Sequence, residues 1–217
     1  MPAMTRPDPH WGLYLITDET MLAAGSLVPF LRDALRVGIR IVQFRSKSAP
    51  SETLRSIGRE IRLLTREHDA TLIVNDRIDL ATELEADGLH LGKTDASPEE
   101  ARRILGPSAI IGLSTHNREQ IEDAKNRPVD YIGVGPVFAT STKSDPDPIV
   151  GTDLITWAHA NSSLPFVAIG GIDLENLGQV LRAGARNVAV ISAIARSTDP
   201  IGAVREFIRR IDSFTVK

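Results

Sequence analysis

Short runs of β-branched and other apolar residues alternate with amphipathic stretches along the whole chain. The runs are apolar at nearly every position, which is typical of strands covered on both faces of a parallel sheet. We therefore predict a succession of strands separated by helices. The predicted strands are Gly12–Thr17, Arg40–Phe44, Leu72–Asn75, Gly88–Leu91, Ile110–Ser114, Tyr131–Val134, Phe166–Ile169 and Val188–Ile191.

Between these runs, apolar residues recur at the three- and four-residue spacing of an amphipathic helix, most clearly over 54–64 and 204–211. Ser97–Glu100 places a capping Ser, a first-turn Pro and a capping-box Glu in the preferred order. Asn117 with Gln120 offers a second such box. Glycines that follow helical runs, and so indicate helix ends, are Gly38, Gly106 and Gly184.

Strands and helices that alternate in this way match an α/β fold, a parallel (β/α)₈ TIM barrel. A doubly wound open sheet is the alternative architecture. No linker or composition shift divides the chain, so we expect one barrel domain over 1–217, with 1–10 as a flexible N-terminal arm. The irregular stretch 136–151 is rich in Thr, Ser, Pro and Asp, and a loop of this length is more often functional than idle.

Composition narrows the classes of function. The 217 residues carry a formal net charge of -3, which gives no electrostatic footprint for nucleic acid or an anionic membrane. There is no cysteine, so disulfides and thiolate metal sites are excluded. No apolar run approaches the roughly 18 residues of a membrane helix, and we expect a cytoplasmic protein. The sequence does not indicate an oligomeric state.

The active site of a parallel barrel lies at the C-terminal ends of its strands. After the second predicted strand, Gln43, Arg45 and Lys47 share one side at strand periodicity. Arg suits forked contacts with phosphate and Lys a point-charge contact, so these residues predict an anion site. A solvated strand end is the alternative.

Two carboxylates follow the next two strands. Asp76 closes the third and Asp95 follows the fourth, near the same cations. Hard oxygen ligands beside phosphate-binding cations predict a shared Mg²⁺ site. Asp76 as a helix cap is the alternative. Asp79 falls inside the following helix and is not expected to take part.

The later strand ends carry hydroxyls and glycines. Ser114 ends the fifth strand, and the long loop brings three hydroxyls and a cation at Thr140–Lys143, which could fold over an anion or form a polar loop without a role. Gly171 and Ser192 follow strands seven and eight, where barrels often bind phosphate, although a tight turn also explains the glycine. Two anion sites imply two phosphorylated substrates, or one with phosphates at both ends.

The five histidines do not cluster in the sequence. His90 lies within a strand and is expected to be a hydrogen-bonded interior residue, whereas His116 precedes a helix and could help to cap it. No side chain sits in a nucleophile-elbow setting, so covalent catalysis has no candidate nucleophile.

The chain resembles the thiamine phosphate synthase family from its first strand to its last helix. The segments that carry the resemblance are QFRSK at Gln43–Lys47, ND at Asn75–Asp76, DGLHLGKTD at Asp87–Asp95, GLS at Gly112–Ser114, GVGPVFATSTK at Gly133–Lys143, IGGI at Ile169–Ile172 and ISAI at Ile191–Ile194.

The resemblance implies a transferase that joins hydroxymethylpyrimidine pyrophosphate to a thiazole phosphate, with Mg²⁺ as cofactor and pyrophosphate as the second product. It implies catalytic roles for Arg45, Lys47 and Lys143 and Mg²⁺ ligands at Asp76 and Asp95. The implied pyrimidine pyrophosphate ligands are Gln43, Phe44, Arg45, Ser46, Lys47, Asn75, Ser114 and Lys143. The implied thiazole phosphate ligands are Thr140, Ser141, Thr142, Gly171, Ile191 and Ser192.

Two positions depart from the family pattern: Ser46 stands where an acidic residue is common, and Lys93 where Gln is common. The thiazole tautomerase branch of the same superfamily is one rival, but it would not need the cations and carboxylates. A non-catalytic sensor of phosphorylated ligands is a second, because fold does not fix function.

Overall fold

The computed structural model describes residues 10–140 and 147–215, in which eight parallel strands alternate with helices. The strands are β1 (Leu13–Ile16), β2 (Ile41–Phe44), β3 (Thr71–Asn75), β4 (Gly88–Leu91), β5 (Ile110–Thr115), β6 (Tyr131–Val134), β7 (Phe166–Ala168) and β8 (Asn187–Val190). Each strand pairs with the next and β8 pairs with β1, so the sheet is a closed barrel. The predicted TIM barrel is confirmed, and the open sheet is excluded.

The described residues form ten helices, two more than the roughly eight expected from a (β/α)₈ pattern. The helices are α1 (Glu19–Ala23), α2 (Leu27–Arg36), α3 (Ser51–Glu67), α4 (Ile78–Glu83), α5 (Pro98–Leu105), α6 (Arg118–Ala124), α7 (Gly151–Asn161), α8 (Leu177–Arg182), α9 (Ser192–Ala195) and α10 (Pro200–Thr215). The additional helices are α1 and α9, which are too short for an apolar periodicity to reveal.

The helix boundaries follow the predicted signals. The Ser97 hydroxyl accepts a hydrogen bond from the backbone N–H of Glu100 at 3.1 Å, and α5 begins at the next residue, Pro98. The Asn117 side chain accepts from the Gln120 N–H at 2.9 Å at the start of α6. Just beyond helix ends, the backbone is left-handed at Gly38, Gly106 and Gly184, as their predicted role requires.

Strand side chains alternate between two buried layers. In β2, Ile41 faces the barrel interior, where it packs with Tyr14 and Tyr131. The next residue, Val42, faces the larger core between the strands and the helices. By the same alternation Gln43 faces the interior and Phe44 the helix layer.

Two similar ion pairs join helices to strands. Arg62 of α3 holds both oxygens of Asp87 at 2.7 and 3.0 Å, and Asp87 also accepts from the backbone N–H of Leu72 at 2.7 Å. Two strands further around the barrel, Arg102 of α5 forms an ion pair with Asp130 at 2.5 Å. We call Arg62–Asp87 and Arg102–Asp130 the struts. Asp87 and Asp130 precede β4 and β6, so the struts lie at the N-terminal ends of the strands.

Asp130 also accepts a hydrogen bond from the backbone N–H of Ile111, at 2.8 Å. At the end of the chain, α10 packs against α2 and β1.

None of the helices formed by the described residues combines the length and the apolar character of a membrane span.

Candidate active site

A cavity opens at the C-terminal ends of the strands, where the sequence placed the site. It is lined by residues from all eight strands and from the segments that follow β2, β5, β6, β7 and β8. Apolar side chains such as Ile169 and Val167 form part of its wall. The predicted ligands that line it are Gln43, Arg45, Asn75, Ser114, Thr140, Gly171, Ile191 and Ser192.

A continuous chain of side-chain hydrogen bonds crosses the floor of this cavity. Gln43 Nε2 donates to the Tyr14 hydroxyl at 3.0 Å, and the hydroxyls of Tyr14 and Tyr131 are 2.8 Å apart. His90 Nδ1 lies 2.9 Å from the Tyr131 hydroxyl, and His90 Nε2 lies 2.9 Å from Ser114 Oγ. We call these five residues the Gln43–Ser114 chain. The interior, hydrogen-bonded position predicted for His90 is confirmed.

Both tyrosines of the chain are fully buried, and burial raises the pKa of each hydroxyl above its ordinary value of 10.0, at Tyr131 with a further rise from the neighbouring Tyr14. At neutral pH they are therefore neutral groups that each donate one hydrogen. The indole of Trp11 packs edge-on against both rings, with centroids 5.8 and 5.1 Å away. Because Trp11 precedes β1, it covers the two tyrosine rings from the N-terminal end of the barrel.

The segment after β2 is fixed by Glu19, the first residue of α1. The Glu19 carboxylate accepts hydrogen bonds from the hydroxyls of Ser46 and Ser48, each at 3.0 Å, and from the backbone N–H groups of Lys47 and Ser48. Burial alone would raise the pKa of Glu19, but these donors outweigh it and lower the pKa below its ordinary value. The hydroxyl of Ser46 is thus engaged with Glu19.

Asp76, Asp95 and Lys47 meet next to the cavity, where Asp76 and Lys47 lie within two residues along the chain of its lining residues Asn75 and Arg45. The Lys47 ammonium forms an ion pair with Asp76, and Asp95 accepts from the backbone N–H of Gly92 at 2.7 Å. Burial and the neighbouring Asp76 carboxyl raise the pKa of Asp95. A carboxyl group whose ionisation is disfavoured by a neighbouring carboxylate suits a divalent cation shared by the two. Lys93 is exposed beside them.

Asp76 does not cap the helix that follows it. The N-cap of α4 is Arg77, and Asp76 adopts a left-handed backbone with φ of 63° while its N–H donates to the His90 carbonyl at 2.9 Å. A non-glycine residue in this region is uncommon, and such residues concentrate at functional sites. Asp69 and Glu85, just beyond the ends of α3 and α4, share this backbone, so the conformation alone assigns no role; the N-cap at Arg77 excludes the capping alternative.

Within the described residues, Asp76 and Asp95 are not part of any group of three or more His, Cys, Asp or Glu side chains that could enclose a metal. A cation bound here would need further oxygens from substrate or water. This requirement matches Mg²⁺, which commonly binds through one or two carboxylates and substrate phosphates.

Phe44 is the predicted ligand whose side chain lies away from the cavity. It is 2% exposed and packs in the helix layer, close to Gly58 of α3. Adjacent residues of a strand face opposite sides, so Gln43 and Phe44 cannot both reach the interior. Phe44 could meet a ligand through its backbone alone.

The opposite side of the cavity carries Thr140, Gly171, Ile191 and Ser192. A Cβ atom at Gly171 would lie 2.4 Å from the backbone oxygen of Ala139, so the close approach of the loop after β6 already requires glycine there. The tight-turn explanation is therefore sound for Gly171, although the residue also lines the cavity. Three further predicted ligands, Ser141, Thr142 and Lys143, lie outside the described residues.

Sequence reasoning missed part of the lining. His116 contacts the Gly135 carbonyl through Nδ1 at 2.5 Å, and its Nε2 lies 3.2 Å from Asp147, a second lining residue. The signal was available for His116, which lies two positions after Ser114 and so shares its side of the chain. Only its backbone joins the helix cap, donating to Gln120 at 2.6 Å.

Comparison with known proteins finds relatives that match most of this chain. A sequence profile of the family described as thiamine monophosphate synthase matches residues 13–194. The thiamine-phosphate synthase of Methanospirillum hungatei is 44% identical over 197 residues, which are 90% of this chain and 95% of that protein. The thiamine-phosphate synthase of Synechocystis is 42% identical over 92% of this chain, which spans 57% of that longer protein.

Among solved structures, the thiamine phosphate pyrophosphorylase of Pyrococcus furiosus superposes with a TM-score of 0.85 at 35% identity. The match covers 94% of this chain and 97% of that one.

Proposed function

Because the chain belongs to the thiamine monophosphate synthase family, we propose that it joins hydroxymethylpyrimidine pyrophosphate to a thiazole phosphate, yielding thiamine phosphate and pyrophosphate. One observation carries the proposal: cationic and hydrogen-bonding residues from separate strands line one cavity, and a pair of carboxylates lies next to it. Arg45 and Ser114 line it, and Asp76, which directly follows the lining residue Asn75, lies beside Lys47 and Asp95.

The reaction we propose begins with departure of pyrophosphate from the pyrimidine methylene carbon, with the bonding electrons. The growing negative charge needs cations at the leaving group, which Arg45 and Lys47 supply from the segment after β2. Lys143 is proposed as a third such cation. The pyrimidinylmethyl cation left behind is captured by the ring nitrogen of the thiazole, so no nucleophilic side chain is needed.

We propose that Asp76 and Asp95 hold Mg²⁺ against the pyrophosphate. The bound ion would neutralise phosphate charge without proton transfer. The ion pair between Lys47 and Asp76 suggests that Lys47 exchanges its carboxylate partner for a phosphate oxygen when the substrate binds. Asn75 lines the cavity directly before Asp76 and would orient the substrate between ring and pyrophosphate.

The second substrate is assigned to the opposite side of the cavity. Gly171, Ile191 and Ser192 line this side, and Thr140 brings the loop after β6 to it. Ser141 and Thr142 are proposed to complete the phosphate contacts. The apolar wall that includes Ile169 would exclude water from the cation before the thiazole nitrogen reaches it.

The test is pyrophosphate release from purified protein given both substrates, with Mg²⁺ and again with EDTA. We expect release that requires both substrates and the metal, with thiamine phosphate formed in equal amount. Isomerisation of a thiazole phosphate without pyrophosphate would support the tautomerase rival instead. Ligand binding without turnover would support the sensor.

The metal assignment has a matched pair of variants. Asp76→Ala should abolish Mg²⁺-dependent turnover, because it removes one of the two neighbouring carboxylates proposed to hold the ion. Asp79→Ala removes a nearby carboxylate that pairs with Arg77 on α4, and it should leave turnover within about twofold of wild type. Activity of wild-type level in Asp76→Ala would overturn the assignment.

A further inference from the structure

The Gln43–Ser114 chain has a direction that its end groups determine. An amide nitrogen donates and does not accept, so the Tyr14 oxygen accepts from Gln43 and its own hydrogen goes to Tyr131. Tyr131 then donates to His90 Nδ1, which must lack a proton. The neutral imidazole carries its hydrogen on Nε2 and donates it to Ser114 Oγ. The hydroxyl hydrogen of Ser114 is left to donate into the cavity.

Other arrangements leave a tyrosine hydrogen without an acceptor within the Gln43–Ser114 chain. Reversing the direction at Tyr131 would leave the Tyr14 hydrogen without an acceptor inside the chain, although Tyr14 is fully buried. A doubly protonated His90 would donate to Tyr131 and oppose the direction that Gln43 sets. Hydrogen on Nε2 of His90 is thus the arrangement that gives both tyrosine hydrogens an acceptor within the Gln43–Ser114 chain.

The neighbouring strands are shaped to hold this chain. A Cβ atom at Gly112 of β5 would lie 2.2 Å from the Tyr131 ring and 2.5 Å from His90 Nδ1. At Gly133 of β6 it would lie 3.3 Å from His90 Cε1. Glycine is disfavoured in strand interiors, so its presence at both positions is consistent with space reserved for the Tyr131–His90 contact.

We propose that Tyr14, Tyr131 and His90 are positioning residues that fix Ser114 as a hydrogen-bond donor toward a ring-nitrogen acceptor of the pyrimidine substrate. The proposal rests on the proposed function, since it names how that site orients its first substrate. A donor fixed in this way rejects a ring that lacks the acceptor, because the hydroxyl would then lose its partner in a buried site. These three residues thus contribute specificity without touching the reacting atoms.

The direction of the chain can be measured without any substrate. Nitrogen NMR of ¹⁵N-histidine-labelled protein, with the His90 signals assigned through a His90→Gln variant, reports which ring nitrogen carries hydrogen. We expect hydrogen on Nε2 alone in the wild type and a mixture of tautomers in Tyr131→Phe. Hydrogen on Nδ1 in the wild type would overturn the proposed direction.

Kinetics then test the positioning role. Tyr131→Phe should lower kcat/KM for the pyrimidine substrate by about 10- to 100-fold, while KM for the thiazole phosphate changes less than about twofold. The preference for the substrate over analogues with C–H in place of a ring nitrogen should shrink by a similar factor. Tyr14→Phe, which frees the chain from the direction set by Gln43, should give a smaller effect of the same kind.

Thr115→Val is the matched control, because it removes a different buried hydroxyl on β5, one that donates to the Gly133 carbonyl at 2.9 Å. It should keep the His90 tautomer and the analogue preference. Unchanged tautomer and preference in both tyrosine variants would overturn the positioning role. The expected tautomer in a protein that forms no thiamine phosphate would instead overturn the proposed function and leave the direction of the chain standing.

Discussion

At the scale of single residues, the interior of the barrel requires a residue without a Cβ atom at position 112, which is Gly112. Tyr131 and His90 approach each other across the space where Gly112 would carry a Cβ, and a methyl group there would overlap the tyrosine ring at 2.2 Å. The ring is fully buried and packed against Trp11, so it has little room to yield. The smallest side-chain addition at this position should therefore be costly.

We predict that Gly112→Ala lowers the free energy of unfolding by about 2–3 kcal/mol, the cost of overpacking a rigid core. Urea unfolding followed by circular dichroism measures it. Gly178→Ala is the control, because Gly178 lies in α8 and its Cβ would meet only the mobile end of Arg182 at 3.3 Å. That variant should gain about 0.5 kcal/mol. Equal effects would contradict the account.

At the scale of elements, the short helix α1 positions the segment between β2 and α3. Its first residue, Glu19, binds Ser46, Lys47 and Ser48 together. Arg45 and Lys47 are the cations proposed to meet the leaving group, so an error in this segment displaces both. The element that sequence periodicity overlooked is thus the one that holds the predicted anion site.

We predict that Glu19→Gln lowers kcat/KM for the pyrimidine pyrophosphate by about 10- to 100-fold, because small displacements of catalytic groups carry large penalties. Steady-state kinetics with the exposed Glu52→Gln as control measure the effect. A kcat/KM that stays within about twofold of wild type would show that the segment holds its geometry without the carboxylate.

The same carboxylate predicts a pH dependence of stability. The pKa of Glu19 is lower in the folded protein than its ordinary value of 4.5, so its contribution is present above that value and is lost as the pH falls through the lowered pKa. The difference in free energy of unfolding between wild type and Glu19→Gln should therefore be constant near neutral pH and narrow in acid. Urea titrations over a pH series below about 5 test this, and a difference that widens in acid would contradict it.

Strands and helices were largely predictable because burial on both faces leaves a continuous apolar run. The predicted β4 and β6, Gly88–Leu91 and Tyr131–Val134, agree with the structure at both ends. The others differ by one residue at one or both ends, where strands give way to loops. The barrel itself followed from the number and alternation of these elements.

The cavity lining was predictable where it depends on position at or just after the end of a strand, as for Arg45 and Ser114. It was not predictable where residues meet across the barrel. Nothing in the local sequence reveals that Tyr14 on β1 faces Tyr131 on β6, because the contact depends on the stagger of a closed sheet. Asp147 gave no signal for the same reason, since its partner His116 is distant along the chain.

At the scale of the whole molecule, the two ends of the barrel have separate tasks. The candidate site occupies the C-terminal ends of the strands, and the struts occupy the N-terminal ends. In barrels the first end carries chemistry and the second carries stability. The side chain of Arg62 is only 14% exposed, so its charge depends on Asp87 for compensation.

We predict that Asp87→Asn and Asp130→Asn each lower the free energy of unfolding by about 1–3 kcal/mol, while kcat/KM at 25 °C stays within about twofold of wild type. The double variant should show the sum within about 0.5 kcal/mol, because the struts share no partner. Denaturant unfolding and steady-state kinetics measure the two quantities separately. Loss of activity in the folded single variants would contradict this division.

Closure of the sheet has a consequence for the protein while it is being made. During synthesis β1 can pair with β2 early, but its other edge stays open until β8 has left the ribosome. A chain that stalls before β8 therefore presents two unpaired strand edges, the feature by which incomplete sheets aggregate or are captured by chaperones. Only a chain translated through β8 can pair both edges, so exposed strand edges distinguish incomplete chains from complete ones for cellular quality control.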